Sequence, residues 1–100
     1  MIIYNITFAV DDQIGEEWVK WIKSVFLSAY EATGFFDDSR LMEILGSKQG
    51  GHTSYSAQLF TTDKQRLVDF HGEHGEQLHQ LLKNKFGDKC VTFDTVLEVI

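Results

Sequence analysis

No proline occurs among the 100 residues, and cysteine occurs once, as Cys90. Without proline, repeats or low-complexity tracts there is no visible point at which to divide the chain, so residues 1–100 read as a single domain. One thiol cannot form an internal disulfide, whereas small secreted domains usually need several. Long hydrophobic runs are also missing: none approaches the roughly 18 residues that span a bilayer. Residues 1–10 lack the basic start and apolar block of a signal peptide. These absences set a membrane partner aside and lead us to expect a cytoplasmic protein. Positive charge is scarce too, with 9 Lys and Arg against 15 Asp and Glu and a net charge of −6. Nucleic acid is bound mainly through clustered Lys and Arg, so it is not expected as a partner. What is present is a hydrophobic fraction of 43%, ordinary for a chain that builds one core.

The order of elements follows from the spacing of apolar residues. Met1 to Val10 alternates, with Tyr4, Ile6, Phe8 and Val10 on one side and Ile3, Asn5, Thr7 and Ala9 on the other. Asp11, Asp12, Glu16 and Glu17 then place acceptors and negative charge at the start of a helix. Trp18, Trp21, Ile22, Val25 and Ala29 form its apolar stripe, and Thr33-Gly34 closes it. Strands follow over roughly Ser39 to Leu45 and Thr53 to Thr61, joined by the glycine-rich segment from Gly46 to His52. In the third strand Tyr55, Ala57 and Leu59 share one face, and Ser54, Ser56, Gln58 and Phe60 the other. A second helix opens at Thr62-Asp63-Lys64-Gln65, which reads as a capping box with Thr62 as the cap. The last strand, Cys90 to Ile100, alternates Val91, Phe93, Thr95, Leu97 and Val99 with Thr92, Asp94, Val96, Glu98 and Ile100.

This β-α-β-β-α-β order predicts an α+β, ferredoxin-like sandwich: a four-stranded antiparallel sheet in the order 4-1-3-2, with both helices on one face. Two helices cover one side of such a sheet. The uncovered side is expected to carry Asn5, Thr7, Ser54, Ser56, Gln58, Thr92, Asp94 and Glu98, mixed with Ile3, Phe60, Val96 and Ile100. Small hydroxyls, an amide and scattered apolar groups suit a partly wet dimer interface or a shallow ligand site. Asn5, Thr7, Ser54, Ser56, Gln58, Thr92 and Asp94 are therefore the ligand or interface candidates.

No motif names a reaction, and no catalytic residue is assigned. Asp94 on a polar face near a sheet edge has no evident cause for the shifted pKa that a general base needs. Gly50-Gly51 lacks the Lys-Ser/Thr ending of a phosphate loop, and His52 beside it reads as a solvated loop histidine. Trp18 and Trp21 read as core, and Cys90 as an ordinary small residue. The oddest segment is His71-Gly72-Glu73-His74-Gly75, where each glycine costs a helix about 1 kcal/mol relative to alanine. A helix break with partly exposed histidines is the preferred reading. His71 and His74, with Glu73, Glu76 and His79 nearby, are weak metal candidates, because only two histidines share a face and structural zinc sites usually draw four ligands. No cofactor or metal is expected.

Several segments together carry a family resemblance: Met1-Ile2-Ile3-Tyr4-Asn5-Ile6-Thr7, Glu17-Trp18 with Trp21, Ala32-Thr33-Gly34, Tyr55-Ser56-Ala57-Gln58-Leu59-Phe60, and Val91-Thr92-Phe93 with Thr95-Val96-Leu97-Glu98. Over nearly its whole length the chain resembles the short bacterial proteins grouped as domain of unknown function 4286. The resemblance implies a ferredoxin-like domain related in shape to the dimeric α/β barrels, in which two open sheet faces close on each other. It implies no activity and carries over no functional residue. Where many members have His-Ile-Pro-Asp late in the first helix, this chain has Phe26-Leu27-Ser28-Ala29, and Asp94 stands where an arginine is frequent.

The expectation is thus a homodimeric binding or regulatory module with its open sheet face at the interface and room for a small molecule. The alternatives are a cofactor-free enzyme, monooxygenase- or isomerase-like, using Asn5, Asp94 or His52, and a module that binds a partner chain at a sheet edge.

Overall fold

The computed structural model describes residues 1–100. Strands β1 (Ile2–Asp11), β2 (Asp38–Glu43), β3 (His52–Thr61) and β4 (Cys90–Glu98) form one antiparallel sheet in the order β2-β3-β1-β4, the expected order read from the opposite edge. The first helix, α1, runs through Gly15–Trp21, a π turn at Ile22–Phe26, and Leu27–Ala32. The second, α2, runs through Lys64–Phe70, a π turn at His71–Gly75, and Glu76–Phe86. No helix is long and apolar enough to cross a membrane.

The core lies between the helices and one face of the sheet. Tyr4, Ile6, Phe8 and Val10 of β1 and Ala57 and Leu59 of β3 are buried there, as their alternation predicts. Against them pack Trp18, Ile22, Phe26, Leu27 and Tyr30 from α1, and Leu67, Phe70, Leu78, Leu82 and Phe86 from α2. Trp18 meets the Phe8 ring edge-on at 4.9 Å between centroids, a geometry favoured by the aromatic quadrupole.

The α1 stripe departs from expectation after Ile22. A π turn accommodates one extra residue, so it rotates everything beyond it by one position. Phe26 and Tyr30 turn inward in place of Val25, which is exposed, and Ala29, which is partly covered. Helix α2 does not break at its glycines. It passes through them as a π turn and continues for a further 11 residues. Its N-cap is Asp63 rather than Thr62, because Asp63 Oδ1 accepts from the Arg66 amide at 3.0 Å. The Gln65 side chain turns forward to Asp69 instead of back toward a cap. Gly34 at φ 81° and Gly87 at φ 59° end the two helices in a conformation that costs other residues a Cβ clash.

The other correction concerns β4. Its register with β1 pairs Phe8 with Thr92, Ile6 with Asp94 and Tyr4 with Val96. Directly paired residues of an antiparallel ladder share a face, so Thr92, Asp94, Val96 and Glu98 lie on the helix side. Val91, Phe93, Thr95 and Leu97 are on the open side. Alternation alone defines two faces without saying which is covered. Here β4 is an edge strand that the helices barely reach, so its buried face carries no continuous apolar signal.

Candidate functional site

The corrected register divides the seven candidates between two places. On the open face Asn5, Thr7, Ser54, Ser56 and Gln58 stand together on β1 and β3. Ser56 Oγ donates to Asn5 Oδ1 at 2.5 Å, and Asn5 Nδ2 donates to Thr7 Oγ1 at 3.1 Å. These bonds leave Asn5 only 9% exposed even though no helix covers it. Beside this small polar network β4 presents an apolar row, with Val91 62%, Phe93 64% and Leu97 41% exposed. At the opposite edge Arg40 of β2 lies over the Phe60 ring, 5.5 Å from its centroid. A row of large apolar side chains held in water beside satisfied polar groups is the composition of an interface core with a polar surround.

Thr92 and Asp94 belong to a cavity on the other side of the sheet. It is a partly open cleft of about 130 Å³ between β4 and the π turn of α2, with Ile6, Phe26, Phe70 and Leu82 as its apolar floor and with His71, His79 and Asp94 exposed at its mouth. Its polar lining is Tyr4, Tyr30, His71, His79, Thr92 and Asp94. A shallower depression of about 220 Å³ adjoins it, sharing His79, Leu82 and Thr92. Within the cavity the Tyr4 hydroxyl donates to Asp94 Oδ2 at 2.5 Å. Burial, then this hydrogen bond, raises the Tyr4 phenol well above its ordinary value, so it stays protonated and acts as a donor. Burial likewise raises Tyr30, helped by the negative charge of Asp94. Tyr30 is 4% exposed, yet its hydroxyl has no hydrogen-bond partner in the protein.

The odd HGEHG segment forms one wall of this cavity. His71 stacks edge-on against Tyr4 with centroids 5.0 Å apart. Gly75 lies one turn further, where a Cβ would stand 3.2 Å from His71 Nδ1. A glycine there leaves room for the imidazole. Both rings touch Phe70, but His74 leans on Phe35 and lies outside the cavity that His71 lines. The two weak metal candidates therefore diverge, and no group of three or more His, Cys, Asp or Glu side chains is placed to hold a metal ion. His52 is exposed in the hairpin loop, its ring 3.2 Å from the Gly50 carbonyl. Cys90, paired with Val10 at the start of β4, is buried, and burial pushes its thiol up to about 11, with the Trp18 indole pulling the other way. It is no activated nucleophile.

Sequence reasoning named Asp94, Thr92, His71 and His79 separately and for other reasons, and it missed Tyr30. The signal available was chemical and covered Tyr4 alone, a core-facing tyrosine whose hydroxyl needs a partner; Tyr30 lay off the expected stripe and is brought inward by the π turn.

The sequence model of the domain of unknown function DUF4286 matches residues 1–100. The chain belongs to that family. No curated protein matches this DUF4286 domain. Among solved structures it is similar to an ethyl tert-butyl ether d (EthD) family protein from Bacillus halodurans C-125, with TM-score 0.73 and 13% identity over 100% of both chains. It is also similar to HapK from Hahella chejuensis, with TM-score 0.72 and 10% identity over 100% of this chain and 93% of that one. A dimeric ferredoxin-like protein from an uncultured marine organism gives TM-score 0.58 and 10% identity, covering 99% and 94%. At these identities the likeness shows the shared ferredoxin-like fold.

Proposed function

We propose that this DUF4286 domain is a homodimeric small-molecule-binding module of the cytoplasm, in which two copies close their open sheet faces on each other. The observation that carries the reading is the exposed row of Val91, Phe93 and Leu97 beside the Asn5, Ser56 and Thr7 network. Large apolar groups gain roughly 25 cal/mol for each Å² removed from water, and a second copy of the same face offers them a cover. A similar fold described as dimeric supports the arrangement. Gln58 and the Asn5 network would then border the enclosed space and give it polar walls. An enzyme that used Asn5 and Asp94 in one centre is disfavoured, since the two side chains stand on opposite sides of the sheet.

Sedimentation velocity at micromolar concentration tests this. The expected species is a dimer for the native chain and a monomer for Phe93→Asp, because a buried, unpaired carboxylate at an interface centre costs about 2 kcal/mol or more of association. A native chain that sediments as a monomer overturns the proposal.

A further inference from the structure

We infer that the cavity between β4 and the π turn of α2 is a second ligand site, built for a neutral single-ring molecule bearing one hydroxyl, of the phenol or cyclic enol class. The site lies within one copy of the chain, so it stands apart from the proposed dimer. Size sets the first limit. A cavity of about 130 Å³ is close to the roughly 150 Å³ that admits benzene in an engineered apolar site. A single ring therefore fits, and its faces would rest on Phe26, Phe70, Ile6 and Leu82.

The polar lining sets the functional group. Asp94 already accepts from Tyr4, but a carboxylate has about four acceptor positions, and more donors can be taken. Tyr30 offers the reverse: its ring is buried, while its hydroxyl faces the cavity, stays protonated and makes no hydrogen bond within the protein. A ligand hydroxyl answers both groups at once, donating to Asp94 and accepting from Tyr30. A carboxylate would be repelled by Asp94. An ammonium would satisfy Asp94 but leave the Tyr30 proton without an acceptor.

The helix itself is shaped around this space. π turns cost regular helix geometry and recur at functional sites. Both helices have one here, and both feed the cavity: the first supplies Phe26 from within its turn and swings Tyr30 inward, and the second supplies His71 and Gly75. Gly75 leaves His71 room beside Tyr4, so the imidazole stands at the wall with His79.

NMR titration with phenol, benzoate and benzylammonium at neutral pH, following the His71, His79 and Tyr30 ring signals, tests the site. Saturable shifts with phenol are expected, with binding at least about tenfold weaker for both ions and about tenfold weaker in Tyr30→Phe, which removes one hydrogen bond and no packing. Asp94→Asn keeps the shape and an acceptor, and should admit benzoate more readily than the native chain does. Phe93→Asp should bind phenol as the native chain does, which separates this site from the dimer. Phenol giving no saturable shift, benzoate binding as well as phenol, or an unchanged Tyr30→Phe titration would each overturn the inference.

Discussion

The two faces of the sheet are finished in opposite ways. On the helix side the strands are sealed by aromatic packing, with Phe8 and Trp18 wholly buried, except opposite β4, where two phenols, a carboxylate and two imidazoles surround a small space. On the open side the centre is sealed by hydrogen bonds between Asn5, Ser56 and Thr7, while the β4 margin leaves Val91 and Phe93 in water. Strand β4 is the common element. It brings polar residues to the covered side and apolar residues to the bare side, the reverse of what a monomer's stability asks. Such an inversion is informative because it lowers the stability of the isolated chain, and functional sites are where local rules of this kind are broken.

Truncating one aromatic on each side of the sheet should give the largest difference. Phe8→Ala empties a fully buried position and should cost about 3–5 kcal/mol, read as a lowered urea midpoint. Phe93→Ala, under dilute conditions that favour the monomer, should change stability by no more than about 0.5 kcal/mol, as exposed substitutions do. Equal losses from the two would mean that the open face is stabilised within one copy.

A second contrast is in alkali. Titratable groups with raised pKa values crowd the helix side: Tyr4, Tyr30 and Cys90 all favour their neutral forms through burial. For Cys90 the rise is from 9.0 to about 11. Between those values the unfolded thiol ionises while the folded one holds its proton, so the unfolded state gains and stability falls as pH rises. The contribution is fully lost once the pH passes the folded value of about 11. The tyrosines act in the same direction above their ordinary value of 10.0. Urea midpoints should therefore drop steeply above pH 9, and Cys90→Ala should flatten the earliest part of the drop. A flat profile to pH 11 would contradict the burial of these groups.

Much of this arrangement was legible in the residues, and the failures have physical causes. Strands β1 and β3 are central and covered on one side, so the alternation of Tyr4, Ile6 and Phe8 with Asn5 and Thr7 sorted their faces correctly. The edge strand carried no such contrast, and Thr92 and Asp94 were placed on the wrong side. In α1 the expected stripe held to Ile22 and then slipped by one, since a π turn leaves no mark in a pattern of period 3.6. The glycines of HGEHG did mark the turn in α2, although as a break, because propensity measures the cost to regular helix and not the alternative the chain adopts. The cavity was illegible as a unit: its lining comes from β1, both helices and β4, and only the register brings Asp94 to Tyr4.

The finest contrast is between two glycines three residues apart. Gly72 has no positive φ, and a Cβ there would meet nothing within 4 Å. Replacing it with alanine should raise stability by about 0.4–1 kcal/mol through lower unfolded-chain entropy and better helix propensity. Gly75 is free of positive φ as well, but its Cβ would press on His71 Nδ1 at 3.2 Å. The backbone gain at Gly75→Ala is then offset by the displaced imidazole, so its urea midpoint should rise less than that of Gly72→Ala. The His71 ring signal should move in Gly75→Ala and stay in place in Gly72→Ala. If both alanines stabilise equally and His71 is undisturbed, Gly75 has no part in shaping the cavity wall, and the glycine is there for the turn alone.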